Sequence, residues 1–332
     1  MKKIKFILIY FLMAFIIIMS VSSCTQQAPK KPAPTSDEPK EMPKVVEEIE
    51  SEIISIMSEV DMIPYYEKQI QEKLKKNKEK KELSIKMGMT SQSDSSQSQE
   101  GNGQQEGTEK KEAGEIDKLV EFEPKPITIN DILLSEILES ETQKIKGSNT
   151  QEIPNHIDFI WDKINKKIRE LHKKWNSLES DVIKSGVSQE PVMGFEKTLN
   201  NLTISANNYN FLDTLVYSNK LTSYIPDLVE NFKKKFPTPI YYMKYYLRQT
   251  VLACKIKDYN SASSNYSKLN IYKDALVSQL VDKKLTELAN KLNTSIKDLE
   301  DSLLLKDLNV IKIKASVVMS NIQLVKEELS KQ

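Results

Sequence analysis

Two histidines, two cysteines and a run of tyrosines are the side chains of this sequence with the widest chemical range. A helix that binds a metal needs ligands at i, i+3 or i+4, so that they share a face. His172 has no His, Cys or Asp at those offsets, Glu179 stands two turns away, and His156 is sixteen residues upstream. No metal site is expected at either. Neither CxxC, CxxCH, HExxH nor GxSxG occurs, and a chain with 8 glycines offers little backbone for cradling a phosphate. Carboxylates are plentiful but alternate with lysines, as on a solvated helix, although an acid pair drawn from distant positions stays open. The chain is therefore read as a non-enzyme without a cofactor. Cys254 follows Val251, Leu252 and Ala253 and is expected to be a buried small hydrophobe.

The segment FPTPIYYMKYYLRQT, residues 236–250, carries the best candidate for a binding surface. Pro237 and Pro239 mark a helix start, and Tyr241, Tyr242, Tyr245 and Tyr246 then cover more than one face, with Arg248 nearby. A tyrosine joins a large apolar ring to a polar tip, which suits recognition of a peptide or a glycan. The competing reading is packing at a bundle edge with the hydroxyls left wet. Trp161 and Trp175 fall on an apolar seam and are expected in the core.

The elements that must position these residues are helical. Ile157, Trp161, Ile164, Ile168, Leu171, Trp175, Leu178 and Val182 recur at alternating steps of four and three, the seam of a helix packed lengthwise in a bundle. Two further stripes run from Leu285 to Leu303 and from Leu308 to Leu329. Asn155 is expected to cap the first of these helices, and Thr128-Ile129-Asn130-Asp131 to open an earlier one carrying Ile132, Leu133, Ile137 and Leu138. Asn208-Tyr209-Asn210, Asp258-Tyr259-Asn260 and Asp307-Leu308-Asn309 form a weak repeat, each between two helical stretches, with the first residue as a cap. The expected fold is all-α: an elongated bundle of about five to seven helices in αα-hairpin units over residues 115–332. Ahead of it lie a separate amphipathic helical segment at 45–88, with Ile49, Ile53, Met57 and Val60 on one face and a break at Pro64, and a disordered linker at 89–114 rich in Ser, Gln and Gly.

The amino end reads MKKIKFILIYFLMAFIIIMSVSSC. Lys2, Lys3 and Lys5 precede an uncharged apolar run from Phe6 to Met19, too short for the ~20 residues that a spanning helix needs and typical of a signal peptide. The run closes on Val21-Ser22-Ser23-Cys24, which resembles the lipobox of bacterial membrane lipoproteins: an aliphatic residue, two small ones, then cysteine. The resemblance implies cleavage after Ser23, a diacylglyceryl thioether on Cys24, and display on the outer face of the cytoplasmic membrane. Residues 1–23 are then a signal peptide. Residues 24–44, with prolines at 29, 32, 34, 39 and 43, form a tether reaching about 60 Å at ~3.1 Å per residue. The rest looks like helical lipoproteins of low-GC Gram-positive bacteria, in keeping with its Ile, Lys and Asn content. Net charge is +1 for the whole chain and −2 without residues 1–23, whose charges are three lysines, so no attraction for nucleic acid is expected. The implied partners are the membrane, through Cys24, and an envelope protein for which the bundle is a scaffold or interaction module.

Overall fold

A computed structural model describes residues 39–86, 123–142 and 153–331, all within one compact unit. The signal peptide, most of the tether and the linker lie outside the described residues, Ser23 and Cys24 among them.

The fold is an all-α helical bundle. It begins with a two-residue strand β1 (Lys40–Glu41), helix α1 (Lys44–Asp61) and helix α2 (Ile63–Lys86). Helix α1 falls in the amphipathic segment of the sequence, which left its docking open, and it packs into the bundle. Its apolar face, Ile49, Ile53, Ile56, Met57 and Val60, is fully buried, and Val46 and Ile54 widen the stripe. Each such side chain contributes about 1.5–3 kcal/mol on leaving water. This helix packs on α3 (Ser135–Thr142), α4 (Asp158–Lys184) and α6 (Phe211–Thr222). Its acids meet the lysines of α4, with Glu59 at 2.6 Å from Lys163 and Glu48 at 3.4 Å from Lys174. The break at Pro64 is real, since α2 starts at Ile63 with proline second. Tyr65, Tyr66, Gln69 and Ile70 are buried, whereas from residue 71 onward no described side chain of α2 is buried. The Lys-rich second half is a solvated stretch of helix.

Between residues 135 and 330 the described chain has nine helices, against the five to seven expected; two of them, α3 and α7 (Ile225–Leu228), are short. The others are α4, α5 (Gln189–Asn207), α6, α8 (Pro239–Lys255), α9 (Tyr259–Asp282), α10 (Thr286–Leu305) and α11 (Leu308–Ser330). The seam from Trp161 to Val182 is buried throughout, and so is Ile311 to Leu329 on α11. Strand β2 (Phe232–Lys233) pairs in parallel with β1, Lys40 opposite Phe232.

Two caps differ from expectation. Thr128 and Asp131 do close on each other, Thr128 Oγ1 donating to Asp131 Oδ2 at 2.7 Å, but they close a turn, and α3 begins only at Ser135. Its amino end is capped from α1 instead: the buried Asp61 carboxylate accepts the N–H groups of Leu133, Leu134 and Ser135 at 2.7–3.1 Å and the Ser135 hydroxyl at 2.6 Å. Asn155 caps nothing; its Oδ1 accepts from Lys73 at 2.9 Å, and α4 starts past Ile157 without a side-chain cap.

The weak repeat is a repeated helix reversal. Tyr209, Lys257 and Lys306 take left-handed φ values of 56°, 60° and 54°, and the next residue caps the following helix. Asp258 accepts from Ser261 N–H, and Asp307 from Asn309 and Val310 N–H. In the first copy the cap is Asn210, bonded to Asp213 N–H, two positions after the residue expected. These three turns share one end of the bundle: the Tyr259 hydroxyl donates to the Lys306 carbonyl at 3.2 Å, and Phe211, Lys255 and Asp307 line one hollow. The described chain begins at the other end, beside Phe232.

Candidate functional site

Helix α8 carries the tyrosines. Pro239, which needs no N–H partner, occupies its first position, and the residue types then divide by helical spacing. Tyr241, Lys244 and Arg248 fall at i, i+3 and i+7 on the face that also carries Leu247 and Val251, and that face is buried. Tyr242, Tyr245 and Tyr246 fall beside it and are half-buried.

Arg248, expected at the surface beside the rings, is therefore 1% exposed and spends its guanidinium inside. Nε donates to Asn219 Oδ1 at 2.8 Å, Nη2 to Thr222 Oγ1 at 2.9 Å, and Nη1 to Glu141 Oε2 at 2.5 Å. Lys244 completes the cluster, with Nζ 3.2 Å from Glu141 and 3.9 Å from Glu50. Burial would raise the Glu141 carboxyl, but Arg248 and Lys244 reverse that and hold it below its ordinary value. Tyr241 is turned inward too, 6% exposed with its ring 5.0 Å from Phe236, and burial pushes its hydroxyl pKa up. Neither residue can belong to a surface site.

The other three tyrosines join two that the sequence did not single out. Tyr272, from α9, stacks on Tyr242 at 4.6 Å and lies 5.8 Å from Tyr246 with the ring planes 15° apart. Tyr245 meets Tyr246 edge-on at 4.8 Å. Lys268 stands 5.5 Å from the Tyr246 centroid, and Lys220 bridges Tyr224 at 5.1 Å and Tyr245 at 5.7 Å. The Tyr242 hydroxyl donates to Asp227 at 2.5 Å. Burial, then that hydrogen bond, pushes its pKa up, and burial takes Tyr245 to about 12. Tyr242, Tyr245, Tyr246 and Tyr272 therefore stay neutral at physiological pH. The result is a ridge of aromatic faces edged by ammonium groups, suited to stacking and to hydrogen bonds from neutral hydroxyls. Lys268 and Tyr272 sit four residues apart, a helical spacing that marks a shared face once Tyr272 is known to stack.

The remaining sequence candidates have ordinary surroundings. His172 Nε2 is 2.8 Å from Thr203 Oγ1, and burial lowers its pKa. Among the described residues no three His, Cys, Asp or Glu side chains gather as a metal site would require. Cys254 is buried, with its thiol pushed up to about 11 by desolvation. Comparison with family models, curated proteins and solved structures finds no match to this chain.

Proposed function

We propose that this protein is a lipid-anchored envelope protein whose helical bundle serves as a non-enzymatic scaffold or interaction module on the outer face of the cytoplasmic membrane. The observation that carries the reading is the lipobox-like Val21-Ser22-Ser23-Cys24 at the close of an uncharged apolar run. Only a thiol accepts the diacylglyceryl thioether, and two acyl chains give the stable attachment that one does not. The bundle suits such an arrangement. The described chain starts at one end, where Lys40 pairs with Phe232, and three helix reversals occupy the other. The test is Cys24→Ala in cells fed radiolabelled fatty acid. The expected result is loss of label and release from the membrane; continued labelling or unchanged membrane retention refutes the anchor.

A second reading is favoured by the stacked, half-buried Tyr242, Tyr246 and Tyr272 with Lys268 beside them. Aromatic faces edged by cations bind the apolar faces of sugars or extended peptides. In that case Tyr242→Ala or Tyr245→Ala weakens binding of cell-wall glycan fragments or peptides while circular dichroism and melting temperature show the fold retained. Unchanged binding removes the ridge from the site.

A further inference from the structure

At the end of the bundle remote from Lys40, the turn from α8 to α9 and the turn from α10 to α11 lie side by side. Their tips expose three aliphatic side chains: Ile256 is 57% exposed, Leu304 78% and Leu305 67%. A single exposed leucine is ordinary, but three on adjoining tips make a patch. Lysines are threaded through it. Lys255 and Lys257 flank Ile256, and Lys306 follows Leu305. Lys255 and Lys257 are exposed and make no ion pair among the described residues.

Beside the patch a hollow of about 220 Å³ runs in among Pro64, Asn130, Phe211, Leu308, Lys255 and Lys312. Lys312 is 2% exposed, and its ammonium is held by the carbonyls of Ile129 and Ile132, so no carboxylate bonds to it. Desolvation lowers its pKa. The acids that also border the hollow are engaged elsewhere. Asp131 accepts from Thr128 and Lys68, and Asp307 caps α11. The hollow thus joins two lysines, one exposed and one buried, to an aliphatic rim. Its chemical complement is an anionic group carried beside apolar side chains.

The geometry points to this end of the bundle as the docking surface for an acidic, aliphatic segment of a partner polypeptide, its carboxylates turned toward Lys255 and Lys312 and its apolar side chains laid on Ile256, Leu304 and Leu305. The inference rests on the interaction-module reading and supplies the chemistry of the partner. An interface needs a desolvated apolar centre for affinity, and the charges set register and encounter rate.

The test uses the full mature chain and a short fluorescein-labelled peptide of alternating glutamate and leucine, followed by anisotropy. Its counterparts are a lysine–leucine peptide and vesicles of phosphatidylglycerol with phosphatidylcholine. The glutamate peptide is expected to bind, to weaken with salt, and to lose about tenfold in affinity with Lys255→Glu and with Leu305→Ser, about 1.4 kcal/mol each. Lys184→Glu, exposed at the carboxyl end of α4 and at the Lys40 end of the bundle, leaves binding unchanged. These sites are solvent-facing, and an unchanged melting temperature shows that the fold persists. Equal binding of the lysine peptide, indifference to Lys255→Glu, or no peptide binding overturns the proposal. Binding to anionic vesicles that the same substitutions abolish, without peptide binding, overturns it in favour of a lipid surface. The outcome is independent of the Cys24→Ala result: a failed anchor leaves the docking surface standing, and a failed peptide leaves the anchor.

Discussion

At the start of α3 the Asp61 carboxylate receives three backbone N–H groups and the Ser135 hydroxyl, whereas in the last turn of the same helix Glu141 meets Arg248 and Lys244. Both carboxylates are buried, and both are fully hydrogen-bonded. They titrate in opposite directions: burial raises Asp61 above its ordinary value despite its donors, while two cations hold Glu141 below its own. Dipoles at a helix terminus orient a buried carboxylate and satisfy its lone pairs, but full neighbouring charges are needed to outweigh the lost hydration. One short helix of 8 residues is thereby fixed from α1 at one end and from α8 at the other.

The contrast can be broken most sharply at Arg248. Arg248→Met strands Glu141 with Lys244 alone and leaves Asn219 and Thr222 without their donor. A loss of about 3–5 kcal/mol is expected in urea denaturation, because an uncompensated charge stays buried. Asp61→Ala removes the cap and leaves the first N–H groups of α3 unsatisfied, for an expected loss of about 1–3 kcal/mol by the same measurement. A larger loss at Asp61 than at Arg248 would reverse the ranking of the two ends. Ser135→Ala deletes one of the five hydrogen bonds to Asp61 and is expected to cost about 1 kcal/mol.

The pH profile of stability separates the signs. The contribution of Glu141 is complete above its ordinary 4.5 and is lost as pH falls through the depressed folded value. For Asp61 the folded state holds the proton more tightly, so its contribution is present below 3.8 and is lost as pH rises through the raised folded value. Melting curves between strongly acid and neutral pH should therefore lose their acid-side decline in Glu141→Gln and their opposing slope in Asp61→Asn. Parallel shifts in the two variants would mean that the carboxylates are not in contrasting environments.

The long seams were legible because their periodicity is local: Trp161 to Val182 and Ile311 to Leu329 read as buried stripes and are buried. The place of α1 was not, since Ile49, Ile53 and Val60 give the same pattern whether a helix lies on a surface or inside a bundle. The additional buried positions Val46, Ile54 and Asp61 are the signal that its stripe is wider than one face. Arg248 was misplaced because a charged residue is read by default as solvated. Its spacing from Lys244 and Leu247 put it on the inner face, and the acid that stabilises it lies 107 residues earlier in the chain. The partner of Asp61, 72–74 residues away, has no local signature. The tyrosine ridge was half legible: Tyr242, Tyr245 and Tyr246 were found on one helix, while Tyr272 comes from the next.

The enclosed position of α1 bears on how a polypeptide made amino end first would fold. Ile53 and Met57 would emerge well before the residues 158–222 that enclose them, and Asp61 before the helix whose terminus it caps. Such long-range closure slows folding. The apolar face of α1 would then stand open to chaperones until its enclosing partners had been made.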